Sequence, residues 1–133
     1  MELKRVVVTG LGAVTPLGLS AEETWKNMIA GVSGADTIKQ FDASRYKTTF
    51  ACEVKDFDPS KWIDRKEARK MDKFCQFAMA SAAMAIEDSA MDLETIDKKR
   101  VGVIFGVGIG GLKTMQDELE FYSAHKDAPK FGP

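Results

Sequence analysis

Two glycine-rich turns are the stretches of this chain whose spacing first suggests chemistry. Gly106-Val-Gly-Ile-Gly-Gly111 satisfies G-x-G-x-x-G and lies between an apolar run and an amphipathic stretch. In a dinucleotide-binding unit such a turn delivers a pyrophosphate to the free N–H groups at the start of the next helix. A confirming acidic residue is then due about 20 residues on, at the end of the following strand. The chain has Lys130-Phe131-Gly132 there and no strand pattern. The earlier turn, Gly10-Leu-Gly-Ala-Val-Thr15, lacks the third glycine, and its helix starts only at Ser20. That distance takes the helix N-terminus away from any phosphate the glycines could hold. A lone motif match is a weak signal. Glycines that let the backbone turn and approach a neighbour closely would read the same way.

The nucleophile and metal classes are thinly supplied. Cys52 and Cys75 are 23 positions apart, and His125 is the one histidine, so zinc-ligand spacing is absent. A reactive thiolate needs a helix N-terminus or a neighbouring cation and base. Cys52 falls in a candidate strand. Cys75 falls in the first turn of a candidate helix near Lys73, but Phe74 and Phe77 beside it point to burial. His125 sits at a helix end, where it would meet the last carbonyls.

The cations are more suggestive. Lys61, Arg65, Lys66, Arg69, Lys70 and Lys73 are interrupted by Asp64, Glu67 and Asp72, which leaves a local charge of +3. Lys66, Arg69, Lys70 and Lys73 recur at three- and four-residue steps, so a helical segment would put several on one face. A solvated helix face explains that pattern. A docking patch that attracts an acidic partner also does.

The elements that must position these residues alternate. Arg5–Thr9 holds three consecutive valines and predicts a strand buried on both faces. The run from Gly10 to Gly18 is a loop. Ser20 and Glu23 form a capping box for a helix to about Ala30, closed by Gly31. Residues 32–47 are turn-rich, and Phe50–Val54 suits a short strand. Asp64 and Glu67 cap a short basic helical turn. Asp72 is placed as N-cap of a long helix over Lys73–Ala90, whose small residues Ala78, Ala80, Ser81, Ala82, Ala83 and Ala85 allow close packing. Asp92–Arg100 is a polar connection, Val101–Phe105 a second strongly apolar strand, and Leu112 to about Ser123 an amphipathic helix. Asp127–Pro133 reads as loop. The order predicts an α/β layer architecture with a mostly parallel sheet. The last helix has no strand to return to, so the sheet looks unfinished.

Composition sets the outer bounds. The 133 residues are 44% hydrophobic and 29% charged, the balance of a globular segment with its own core. A net charge of −1 argues against bulk nucleic-acid binding. The charged start and short apolar run that follows suit neither a signal peptide nor a membrane span. With two lone cysteines, the expectation is a cytoplasmic, soluble protein.

Several of these segments, in register, resemble one family. Val6-Val-Val-Thr-Gly-Leu-Gly-Ala-Val-Thr-Pro-Leu-Gly18 closely resembles the opening of β-ketoacyl-acyl carrier protein synthases, as do Gly31-Val-Ser-Gly34 and Phe41-Asp42. Arg65-Lys-Glu-Ala-Arg-Lys-Met-Asp72 resembles the segment before that family's long N-terminal helix. The stretch from Val101 through Gly111 is similar to the glycine turn after its third strand. The similarity runs in order from about residue 3 to residue 116. The Gly-Ile-Gly-Gly form, with Ile109, looks like the type II elongating synthases.

The resemblance implies a thiolase-like α/β fold, with residues 1–133 as its N-terminal portion, incomplete at the C-terminal end, and a homodimer as the complete chain. It implies decarboxylating Claisen condensation: an acyl group loaded on a cysteine, malonyl-acyl carrier protein losing CO₂, and the carbanion attacking the thioester. No metal, nucleotide or other cofactor is implied. In the family the catalytic cysteine follows soon after the position of Pro133 and the two catalytic histidines come later, so no catalytic residue is expected here. Ile109 matches the family position that gates the acyl-chain pocket. Lys66, Arg69 and Lys70 match positions that meet the acidic carrier protein. Two alternatives stay open: a dinucleotide-binding domain using Gly106, Gly108 and Gly111, and a non-catalytic, chain-length-factor-like partner subunit.

Overall fold

Ser20 opens the first helix, and the reason is local. Its Oγ accepts the Glu23 N–H at 3.1 Å, while Glu23 Oε2 reaches back to the Leu19 N–H at 2.7 Å. The reciprocal pair satisfies donors that the first turn leaves free. The helix, α1, runs Ala21–Ile29 and ends at Gly31, whose φ of +70° suits only glycine at low strain. The computed structural model describes residues 3–126. The loop reading for 127–133 lies outside those residues.

The loop before α1 is held down by side chains. Thr15 and Gly18 exchange backbone hydrogen bonds at 2.9 and 3.2 Å. Asn27 Nδ2 donates to the Leu17 carbonyl at 2.6 Å, and the Thr15 and Thr24 hydroxyls lie 2.9 Å apart. After α1 a small antiparallel ribbon forms, β1 (Asp36–Thr37) with β2 (Phe50–Ala51), in the register Asp36 opposite Ala51 and Thr37 opposite Phe50. β2 coincides with the start of the strand expected over Phe50–Val54. A 3-10 turn, Pro59–Lys61, leads to the short helix α2 (Arg65–Ala68), which Asp64 caps through a 2.8 Å bond to the Lys66 N–H.

The long helix, α3, spans Lys73–Asp88 and ends two residues before the expected Ala90. Ala90 has left-handed backbone, φ +51°, which stops the helix there. A polar connection with a 3-10 turn at Lys98–Arg100 follows, then the second glycine turn and α4 (Leu112–Ala124).

The core lies where α2, the 3-10 turn at 59–61 and the first half of α3 meet. Ile63, Ala68 and Ala80 are buried there. Gln76 is buried with them, and its Nε2 donates to the carbonyls of Ala68 at 2.8 Å and Met71 at 3.0 Å. That amide ties the end of α2 to α3. Phe57 stacks on Trp62 and packs edge-on to Phe77, with centroids 5.8 and 4.9 Å away.

The expected parallel sheet is not formed by the described residues. The only sheet among them is the two-stranded antiparallel ribbon. The valine run at 6–8 and the apolar run at 101–105 have no ladder partners, and their side chains are open to solvent: Val6 is 89% exposed and Ile104 95%. The sequence pattern for both is that of an apolar strand, and for the valine run that of one covered on two faces. Such a strand exists only where neighbouring strands satisfy its N–H and C=O groups, and no ladder among residues 3–126 does so.

Candidate functional site

The two glycine turns meet α3 at opposite ends. Gly10 and Gly12 lie against its second half. A Cβ at Gly10 would sit 2.2 Å from the Ala85 carbonyl oxygen, and one at Gly12 would sit 2.0 Å from that of Ser81. The Leu11 N–H donates to Asp88 Oδ2 at 2.7 Å. Glycine in the loop and small residues in the helix together let two backbones touch. The space a phosphate would need in the first turn is filled by α3.

The second turn meets the start of α3. Gly111 has φ +71° and is the N-cap of α4. Asp72 Oδ1 accepts the Thr114 hydroxyl, and its Oδ2 lies 3.0 Å from where a Gly111 Cβ would be. A carboxylate therefore occupies the first turn of α4. The positive end of a helix dipole favours that anion, and the anion repels any phosphate brought to the same N–H groups. The dinucleotide reading of Gly106, Gly108 and Gly111 loses its seat on this geometry. The sequence pattern places Asp72 as the cap of α3. Its backbone fills that role, with its carbonyl accepting the Gln76 N–H at 3.1 Å, but its side chain makes no cap bond. Thr114 holds it elsewhere.

Lys66 in α2, and Arg69 and Lys70 just after its end, are all exposed, whereas Ala68 and Ile63 are buried. Lys70 pairs with Glu67 at 2.9 Å; Lys66 and Arg69 make no ion pair among the described residues. An exposed pair of that kind is worth about 0–1 kcal/mol, so Lys70 can be drawn to another anion. Two further cations lie over aromatic rings: Lys61 is 5.9 Å from the Trp62 ring and Lys73 5.9 Å from that of Phe57. Arg69 and Lys70 share a hollow of about 360 Å³ with Met71, Asp72, Thr114 and Asp117. The structure thus brings two of the three cations beside the start of α4. Ile109 does not join them. It stands in the second turn with 77% of its surface exposed.

The remaining candidates stay apart. Cys52 and Cys75 are both free thiols, Cys52 exposed and Cys75 half-buried. Cys52 lines a cleft of about 730 Å³ with Phe41, Phe57, Lys73 and Phe77. His125 stacks on Phe121 at 4.3 Å between centroids, and its Nδ1 lies 3.0 Å from the Phe121 carbonyl, the helix-end role expected of it. No group of three or more His, Cys, Asp or Glu side chains among the described residues could hold a metal ion. No helix among them is long and apolar enough to cross a membrane. The Asp72–Thr114 contact and the Gln76 bridge are not legible as pairs in the sequence. A lone glutamine within the apolar length of α3 is the one signal for the second.

The backbone path has close counterparts. It superposes on the ishigamide ketosynthase/chain length factor with a TM-score of 0.84 and 31% identity, covering 96% of this chain and 32% of that one. It also superposes on the structure of a type II PKS acyl-carrier protein in complex with its ketosynthase bound to the hexaketide, with a TM-score of 0.72 and 28% identity, over 98% and 33% of the two chains. The thiolase-like fold class expected from the resemblance is the fold these structures share with the chain.

Residues 3–131 match the profile of the β-ketoacyl synthase N-terminal domain, and the chain belongs to that family. It is 45% identical over 118 residues to a 3-oxoacyl-[acyl-carrier-protein] synthase 2 of Synechocystis, covering 89% of this chain and 28% of that protein. It is 46% identical over 136 residues to the synthase 2 of Coxiella burnetii, covering 100% and 33%. The chain thus spans about a third of the length of these curated relatives.

Proposed function

We propose that residues 1–133 are the N-terminal portion of a β-ketoacyl-acyl carrier protein synthase domain that elongates fatty acids by decarboxylating Claisen condensation. The observation that carries the reading is the synthase 2 likeness at 45% and 46% identity across nearly the whole chain. In this reading the segment supplies scaffold, carrier docking and part of the acyl-chain wall. The nucleophilic cysteine and the histidines come from the rest of the synthase, whose strands also cover the apolar runs at 6–8 and 101–105. The complete chain works as a cytoplasmic homodimer.

The partner is an acyl carrier protein. Lys66, Arg69 and Lys70 form its docking patch, and their exposure and charge support this. A cationic surface of this kind draws in an acidic partner by long-range attraction that salt weakens. Ile109 lines the acyl-chain site; its branched apolar side chain and open position suit contact with a hydrocarbon tail. Chemically, the site needs donors aimed at the developing oxyanion and a thiolate to carry the acyl group, and both lie outside this segment.

The alternative is a non-catalytic, chain-length-factor-like partner, which the synthase 2 relatives do not favour. One structure superposed on this chain at a TM-score of 0.84 is that of a ketosynthase/chain length factor. A chain-length-factor-like partner would dock and shape a chain without condensing anything. One experiment separates the two. The complete protein is given an acyl donor and malonyl-acyl carrier protein, and 3-oxoacyl product and CO₂ are measured. Product in step with CO₂, abolished by an alkylating agent, is expected of the synthase. Carrier binding without product would overturn the synthase reading in favour of the partner subunit.

A further inference from the structure

Asp72 occupies a junction that neither the docking patch nor the glycine turn explains alone. It begins α3, yet its carboxylate leaves that helix uncapped and accepts the hydroxyl of Thr114, 42 residues on. Thr114 is the third residue of α4, and Gly111, beside Oδ2, is its N-cap. The carboxylate thus grips the first turn of α4 where the helix dipole favours a negative charge. Phe74 makes the second contact: its ring carbons lie 2.7 Å from where a Cβ on Gly110 would be. The end of the glycine turn is therefore pinned by Asp72 and Phe74, whereas a Cβ on Gly106 or Gly108 would meet nothing within 4 Å. Upstream, Asp72 follows Arg69 and Lys70 by two or three residues, and all three line the same 360 Å³ hollow with Thr114.

We infer that Asp72, through its hydrogen bond to Thr114, is a positioning residue that fixes the turn carrying Ile109 against the start of α3. The same contact joins the basic patch to the acyl-chain wall through a single short span of backbone. The inference rests on the reading of Ile109 as an acyl-chain contact. A hydrogen bond to a charged acceptor is among the stronger side-chain bonds, and its loss frees the first turn of α4 to shift. A misplaced wall changes which acyl chains fit, so the effect belongs in chain-length selectivity and not only in stability.

The test uses the complete synthase and compares kcat/KM for a long and a short acyl donor. Asp72→Ala and Thr114→Val should each move that ratio in the same direction, by roughly three- to tenfold. The double variant should move it no further than the larger single change, because both remove one bond. Thr114→Ser keeps the hydroxyl and should keep the wild-type ratio. Ile109→Ala is measured alongside. If it moves the ratio while Asp72→Ala and Thr114→Val change only the melting temperature, the positioning role is wrong and the acyl-wall reading stands. If Ile109→Ala leaves the ratio unmoved, the acyl-wall reading is overturned and this inference goes with it. Should Asp72→Ala fail to fold, the exposed Thr114 pair of Val and Ser variants decides the matter alone.

Discussion

Gly12 and Gly108 hold matching places in two glycine-rich turns, yet their surroundings are opposite. A methyl group at Gly12 would lie 2.0 Å from the Ser81 carbonyl oxygen; at Gly108 it would meet nothing within 4 Å. The first turn is a packing device, with glycine needed because two backbones touch. The second is open along most of its length and is held only at its end, by Phe74 and Asp72. Similar letters therefore serve a rigid seat in one case and a presented loop in the other. Neither requires a nucleotide. Ile109, the residue proposed to meet substrate, sits in the second, more open turn with 77% of its surface exposed, against 60% for Leu11 in the first.

The comparison can be broken by substitution, read from urea unfolding of the complete protein. Gly12→Ala should have the largest effect, about 3 kcal/mol of destabilisation, because a helix carbonyl cannot retreat from a methyl group without moving the backbone. Gly111→Ala should cost about 1–2 kcal/mol, set by its φ of +71°. Gly108→Ala should stay within about 0.5 kcal/mol of wild type. Equal losses at Gly12 and Gly108 would erase the distinction.

The ribbon of β1 and β2 lies outside both turns and sharpens the contrast from a third place. There the Lys55 ammonium, hydrogen-bonded to Asp36 at 3.1 Å, holds the carboxyl below its ordinary 3.8, with help from the Thr37 N–H and Lys39. A depressed folded-state value contributes stability that is present above pH 3.8 and is lost as pH falls through the lower folded value. Lys55→Ala should move the Asp36 midpoint upward toward 3.8 in an NMR titration, with no change in the order of the glycine variants. A midpoint that does not move would assign the shift to the Thr37 N–H and Lys39. This effect is the smallest of the set, since the pair is exposed.

Much of this was legible because the signals are local. The Ser20–Glu23 box and the Asp64 cap follow from side chains that satisfy nearby backbone groups, Gly31 from its positive φ, and α3 and α4 from their residue pattern, since neither has a side-chain cap bond. The sheet was not realised, for the opposite reason. Val6–Val8 and Val101–Phe105 carry strand composition, but a strand is completed by partners, and composition says nothing of where those partners lie. The site divided in the same way. Lys66, Arg69 and Lys70 are exposed, but the single helical face that their spacing suggested is not formed, because α2 ends at Ala68. The diversion of Asp72 to Thr114 was not legible, because an N-cap aspartate and a tertiary one read alike in sequence. The fall of the nucleotide alternative turned on that same carboxylate.

The central claim is that the patch around α2 receives an acyl carrier protein. The most direct test is the KM for carrier protein in the complete synthase, measured for Arg69→Glu/Lys70→Glu and for Lys98→Glu/Lys99→Glu, an equal charge change at the 3-10 turn of residues 98–100. The account predicts a rise of about tenfold or more for the first pair, diminishing as salt is added, and little change for the second. An unchanged KM at Arg69 and Lys70, or an equal rise at both places, would contradict it.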